Sequence, residues 1–406
     1  MQDKEIFFSI VIPTRDRPDL IESLIFSILN QTFEHFELLI CDNSNNELTQ
    51  GVINSFDDKR IRNIRTGNLA MSENYNAGIN KASGSYLMCI SDKGFLKQGA
   101  LKYLYDLIEN EKHKCITWAL DNFVYPGNYS KSNLHKKQSM LLDSSYILKF
   151  MLQGDYRNYE YAPMHCTSCI SMELVDSIRQ KHVNLCQAQN PDYTMAAQVL
   201  LETSQVFNLR SNLAILRNVS MKDGYGTGHS LAKKTQESRT FLNDHAEWIK
   251  YTNKFTDVPI QNCPFIIDLM LKDTYKVLED NNVDPDTFLS KKERLVGYYY
   301  FAYDEILWRK SLGVNMADEV ALLNFSLSKE ENSIQKAFKA KIAPLKFQTY
   351  VAHLKYLIKR NSFATFLLEI YRKLRYFNSG IQYHSIEDCY YDNVIEDYKS
   401  DFKNDY

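Results

Sequence analysis

Short, mostly apolar runs alternate with helix-period segments along the first 110 residues of the chain. Residues 7–13 (FFSIVIP) are rich in β-branched side chains and closed by Pro13, which reads as a buried strand. From Pro18 to Asn30 the apolar residues fall at 20, 21, 24, 25, 28 and 29, the spacing of a helix with one buried face. Residues 36–41 (FELLIC) repeat the strand pattern and run into Asp42-Asn43-Ser44-Asn45-Asn46, residue types that favour turns. A strand over 60–65, a helix over 72–83, a strand over 86–90 and a helix over 98–110 complete the series. Buried strands alternating with helices imply a mostly parallel sheet covered on both faces. Ligands of such sheets gather at the carboxyl ends of the strands. Three polar segments follow those ends, Thr14-Arg15-Asp16-Arg17, Asp42-Asn43-Ser44 and Ser91-Asp92-Lys93, and they are candidates for one shared crevice.

The pattern then becomes mixed. A strand is expected over 115–120, helices over 144–152 and 173–179, a helix over 194–203 opened by Asn190-Pro191-Asp192, and a strand over 212–216. Residues 221–236 hold three glycines and little apolar content, the composition of a loop. Beyond 238 strand signals fade and helical spacing dominates to about 377. The expected organisation is an α/β domain over 1–237, an α-helical domain over 238–385, and an acidic, poorly ordered tail over 386–406.

Composition narrows the function classes. The 406 residues are 44% hydrophobic and 24% charged, as in an ordinary globular protein. A net charge of −2 gives no pull toward nucleic acid. The 27 tyrosines and 22 phenylalanines suit a packed core and a sugar-stacking surface alike. The chain enters its first strand without a basic region and a long apolar run, and no segment reaches the ~18 apolar residues of a membrane span. The expectation is therefore a cytoplasmic location with its eight cysteines reduced. Cys166, Cys169, His182 and Cys186 have a zinc-like C-x₂-C-x₁₂-H-x₃-C spacing, but the same segment fits a strand and helix in which the cysteines are small buried hydrophobes. Residues 336–376 interleave lysines and arginines with apolar residues, and only Glu369 offsets them. Such a tract is either the solvated face of packed helices or a surface resting on anionic lipid, peripheral on the inner face of a membrane.

Several motifs, taken in order over roughly residues 7–230, resemble the inverting GT-A glycosyltransferases of family 2. They are Ser9-Ile10-Val11-Ile12-Pro13-Thr14, Leu39-Ile40-Cys41-Asp42-Asn43-Ser44, and Asn76-Ala77-Gly78 through Gly84-Ser85-Tyr86 leading to Ser91-Asp92-Lys93-Gly94. The resemblance implies a Rossmann-like GT-A domain that moves a sugar from a nucleotide-sugar donor, UDP-sugar by default, to a glycan or lipid-linked acceptor with inversion. Bacterial-type surface polysaccharide, capsule or lipopolysaccharide assembly is the implied setting. It also implies donor contacts from Pro13, Thr14, Arg15, Asp42, Asn76, Ser91, Asp92 and Lys93, and from His229 in the glycine-rich loop, where Lys222 and Lys233 could also reach phosphate. The family holds Mn²⁺ or Mg²⁺ with aspartates against the diphosphate. Asp92 matches the first of them, while Lys93 stands where the principal metal ligand is expected.

A lysine cannot ligate a metal while protonated, but it can itself pair with phosphate. Lys93 thus replaces part of the metal's role, Asp92 holds a metal weakly, or Lys93 simply faces solvent. The family's catalytic base, an acid about a hundred residues later at a helix start, falls on Asp192, with Glu202 a weaker alternative. The bland account of Asp192 is a helix N-cap. Two rivals to a transferase remain: a non-catalytic module that binds sugar nucleotide, glycan or a partner enzyme, and a scaffold acting through its helices.

Overall fold

The computed structural model describes residues 5–124, 128–130, 138–181, 184–187, 190–218, 250, 253–260, 265–359, 386 and 395. The N-terminal series is β1 (Phe8–Thr14), α1 (Pro18–Leu29), β2 (Phe36–Asp42), α2 (Leu48–Ser55), β3 (Ile61–Arg65), α3 (Met71–Ile79) and β4 (Tyr86–Cys89). It continues through β5 (Gly94–Leu96), α4 (Ala100–Glu111), β6 (Cys115–Thr117), β7 (Leu120–Val124), β8 (Asn128–Ser130), β9 (Met140–Asp143) and α5 (Ser144–Gln153). After β10 (Ser168–Ser171), α6 (Met172–Lys181), α7 (Pro191–Glu202), β11 (Gln205–Asn208) and β12 (Ala214–Asn218), the described chain is helical. Those helices are α8 (Ile266–Asp280), α9 (Lys291–Ser311), α10 (Ala317–Ser328) and α11 (Asn332–Lys359).

The main sheet has the order β3-β2-β1-β4-β10-β6-β11-β9. Its first four strands are parallel, and β10 then runs antiparallel to both β4 and β6. Alternation along β1 and β2 builds a core on each face. Phe8, Ile10, Ile12, Leu38 and Ile40 pack under α1 and α4, whereas Val11, Leu39 and Cys41 pack under α3 and α7. Two glycines of the family-like motif permit this closeness. A Cβ on Gly78 would sit 2.6 Å from Val11 and 2.7 Å from Cys41, and one on Gly84 would sit 2.8 Å from the backbone nitrogen of Ser9.

A second sheet, β5-β12-β7-β8, covers one end. The strand expected over 115–120 is in fact two: β6 stays in the main sheet, and the chain crosses at Trp118 into β7. The break has a local cause, since Trp118 is drawn to the 164–167 loop by a backbone bond to Thr167 and an indole bond to Cys166. The sequence pattern also missed α2, whose buried contribution is only Thr49 and Ile53, and the short strands β5, β8, β9 and β11.

The C-terminal helices own a separate core around Phe265, Tyr298, Tyr299 and Phe301, joined to the α/β domain through Leu152 of α5 and Leu201 of α7. The boundary expected near 235–240 lies outside the described residues. On α11, Ile334, Phe338 and Ile342 are buried at four-residue spacing while Lys336 and Lys339 are exposed, so this part of the basic tract is the outer face of a packed helix. Among the described residues no helix is long and apolar enough to cross a membrane. The tail expected to be poorly ordered is anchored where it is described: Ile386 packs with Phe95, Phe123, Tyr129 and Ile215, and the Ile395 amide donates to the Gln98 carbonyl at 2.8 Å.

Candidate active site

The carboxyl ends of β1, β2 and β4 meet at a cavity of about 770 Å³, within the usual size range for small-molecule sites. The loops after β1 and β2 are stitched together. Asp16, in the left-handed backbone region at φ 52°, donates its amide to the Ser44 hydroxyl at 2.7 Å, and its carboxylate accepts from Asn45 and Asn46. Asn43 pins the next loop by exchanging bonds with the Leu69 backbone at 2.7 and 2.8 Å. Pro18 at the start of α1 fixes Arg17 immediately before the helix, beside the turn that follows β4.

In that turn Asp92 is only 3% exposed. Arg17 Nη1 donates to its two oxygens at 3.1 and 3.4 Å, and Thr14 Oγ1 donates to Oδ2 at 3.1 Å. Lys93 lines the same wall. Burial, and then the nearby charge of Arg17, bring its ammonium down to about 8, with Asp92 pulling the other way. The backbone amide of Arg217 on β12 donates to the Lys93 carbonyl at 2.9 Å, which sets Arg217 beside Lys93 on the wall.

The rest of the lining comes chiefly from α7, α8 and the 164–167 loop. Cys166, also left-handed at φ 64°, holds that loop against β4: its amide donates to the Cys89 carbonyl at 2.7 Å and its sulfur accepts from the Ser91 amide at 3.1 Å. His165 is thereby placed against Tyr75, with ring centroids 5.4 Å apart, and its Nε2 lies 3.9 Å from Asp192 Oδ2. Asp192 is not the helix cap. Asn190 occupies the cap position, and Asp192 is the second residue of α7, with 28% of its side chain exposed. The start of α7 is tied to the helical region: the amide and side chain of Asn190 donate to Asp273 Oδ2 on α8 at 3.2 and 2.9 Å. Burial pushes the Asp273 carboxyl well above the usual range; the Asn190 bonds oppose this and the charge of Asp192 adds to it.

The structure brings Pro13, Thr14, Arg15, Ser91, Asp92, Lys93 and Asp192 to one cavity. It places Asp42 and Asn76 elsewhere. Asp42 is fully buried, accepting from Arg65 at 2.7 Å and from the Ser44 amide at 3.0 Å, and the neighbouring Asn43 lines the cavity in its stead. Asn76 exchanges two bonds with the Cys186 backbone at 2.7 and 3.1 Å and so braces α3. Glu202 sits at the far end of α7, bonded to Ser177 and Lys181. His229, Lys222 and Lys233 lie outside the described residues, as does His182. Cys166 and Cys169 belong to one hydrophobic core and Cys186 to the other, which is the small-hydrophobe reading of these thiols. Arg17, named in the polar segment after β1, also lines the cavity, as do Arg157, His165 and Arg217, which the sequence pattern did not single out.

The residues around Asp92 do not fit a divalent metal centre. Hard cations take several oxygen ligands. Here the one carboxylate of the turn has both oxygens engaged by Arg17, a lysine follows it, and among the described residues no three His, Cys, Asp or Glu side chains converge on one point.

Residues 9–178 match the model of glycosyl transferase family 2. The chain is 33% identical over 100 residues to the GalNAc(5)-diNAcBac-PP-undecaprenol beta-1,3-glucosyltransferase of Campylobacter jejuni, covering 24% of this chain and 32% of that protein. It is 27% identical over 153 residues to an uncharacterized glycosyltransferase of Haemophilus influenzae, covering 36% of this chain and 57% of the relative. It thus spans about a third of the first curated relative and a little over half of the second. Solved structures that it resembles include S. aureus TarS 1–349 in complex with UDP-GlcNAc, at 13% identity and a TM-score of 0.46 over 82% of this chain and 91% of that one. Another is the mannosyltransferase PcManGT from Pyrobaculum calidifontis in complex with GDP-Man and Mn²⁺, at 10% identity and a TM-score of 0.41 over 84% and 86%.

Proposed function

We propose that this chain, whose residues 9–178 belong to glycosyl transferase family 2, transfers a sugar from a nucleotide-sugar donor to a hydroxyl of a glycan or lipid-linked glycan, with inversion. The observation that carries the reading is that one cavity is lined by two unlike sets of groups: cations at the strand ends, and a partly open carboxylate, Asp192, at the start of α7. The donor diphosphate lies against the strand-end wall, and the acceptor enters beside α7 and α8. Asp192 takes the proton of the acceptor hydroxyl as its oxygen attacks the anomeric carbon. The bond from that carbon to the diphosphate oxygen breaks, and its electron pair leaves with the nucleoside diphosphate. His165 stands beside Asp192, and Asn190 ties the start of its helix to α8.

The C. jejuni relative is named for a undecaprenol-linked substrate, which supports an acceptor of that kind here. Assembly of a surface polysaccharide, capsule or lipopolysaccharide is the setting we propose, with the protein at the cytoplasmic face of a membrane. The test is nucleoside diphosphate release from a panel of UDP-, GDP-, CDP- and dTDP-sugars, with and without glycan acceptors. Release by the wild type and its loss in Asp192→Asn, with donor binding retained, is the expected result. Release that is unchanged in Asp192→Asn removes the base, and an inert wild type that still binds donor points to the non-catalytic module.

A further inference from the structure

We infer that this site neutralises the diphosphate with fixed side-chain cations, Arg17, Lys93 and Arg217, in place of the divalent metal that the family resemblance implies. The inference rests on the transferase reading and adds the means by which the leaving group is held. A diphosphate gains negative charge as the glycosidic bond breaks, and something positive must already stand there. A metal would have to recruit Asp92. That carboxylate is almost fully buried and accepts from Arg17 and Thr14, so coordination would have to displace a half-exposed arginine from its ion pair with a buried carboxylate. The next position, where a second carboxylate would complete the donor set, holds an ammonium.

The cations, by contrast, are already assembled. Lys93 follows Asp92 in the turn, Arg217 is tied to the Lys93 backbone through β12, and Arg17 reaches the turn from the start of α1; all three line the cavity. Guanidinium groups bind phosphate oxygens in pairs, and an ammonium acts as a point charge. Asp92 then has a different task from a ligand. It holds Arg17 in place and moderates the wall's positive charge. Removing its charge would release Arg17 toward phosphate, so the two accounts predict opposite signs for one substitution.

The experiment is titration calorimetry of the full chain with UDP, GDP, CDP and dTDP, first in EDTA and then in excess Mn²⁺. We expect at least one nucleoside diphosphate to bind in EDTA, with an affinity that Mn²⁺ leaves essentially unchanged. Lys93→Ala should weaken that binding by about tenfold, the loss of one charge-assisted contact, and should weaken the matching monophosphate less. Lys93→Gln, closer in shape, should show the same loss, and Asp92→Asn should tighten binding. Binding that appears only with Mn²⁺, or that is abolished in Asp92→Asn while the variant stays folded by circular dichroism, overturns the inference and leaves the transferase reading standing. No binding of any of the four, with or without metal, overturns both.

Discussion

Asp92 and Asp192 line one cavity and are treated in opposite ways. On the sheet wall Asp92 is 3% exposed and carries Arg17 and Thr14 on its oxygens. On the helix wall Asp192 keeps 28% of its side chain exposed, with His165 at 3.9 Å. A carboxylate held by a guanidinium in a buried turn is fixed in position. One left partly open at the first turn of a helix is within reach of a substrate. The residue type is the same, and its neighbours decide whether it organises the site or carries the chemistry.

The contrast can be broken most sharply on the open wall. Asp192→Asn should lower kcat by about 10³-fold, the usual loss for a general base, with the donor KM nearly unchanged in steady-state assays. A parallel rise in KM would mean that Asp192 binds rather than reacts. A third carboxylate sharpens the comparison. Glu305 accepts from the Ile266 and Ile267 amides at the start of α8, and burial raises its carboxyl to about 7, with those amides and Arg309 opposing. A folded-state value above the unfolded one favours the protonated form. Stability from this group is therefore complete below about pH 4.5 and lost as pH rises through about 7. Glu305→Gln should gain on the wild type by about 3 kcal/mol between those limits in urea unfolding. Parallel pH profiles would rule this out.

Smaller effects test the scaffold and the helix wall. Gly84→Ala drives a Cβ into the β1 backbone, and should cost about 1–3 kcal/mol in thermal or denaturant unfolding. An unchanged midpoint would show that β1 yields. His165→Ala should reduce kcat by less than about tenfold, because it orients the base without replacing it. A loss as large as that of Asp192→Asn would make His165 a direct participant in proton transfer.

The parallel half of the sheet was legible because β1, β2 and β4 are short, mostly apolar runs, and because α1, α3 and α4 carry a clear helical period. The elements that escaped are those whose pattern is too short to have a period, such as β5 at three residues and β11 at four. Asp192 and the Asp92-Lys93 turn were legible through motif order and spacing. The neighbours that give them meaning were not. Arg17 reaches Asp92 across 75 residues of sequence, and Asn190 reaches Asp273 across 83. His165 is aimed by the left-handed backbone of Cys166, which leaves no trace in a hydrophobic pattern. Asp42 shows the reverse case: its motif position suggests a ligand contact, and the structure sets Arg65 of the adjacent strand on its carboxylate.

The most direct test of the account is to assay Asp92→Asn and Asp192→Asn side by side for nucleotide release in EDTA, using the donor that the wild type accepts. The account predicts that Asp192→Asn collapses while Asp92→Asn stays within about tenfold of the wild type, as expected of a carboxylate that neither binds metal nor moves a proton. Equal collapse of both variants, or a wild type silent until Mn²⁺ is restored, would contradict it.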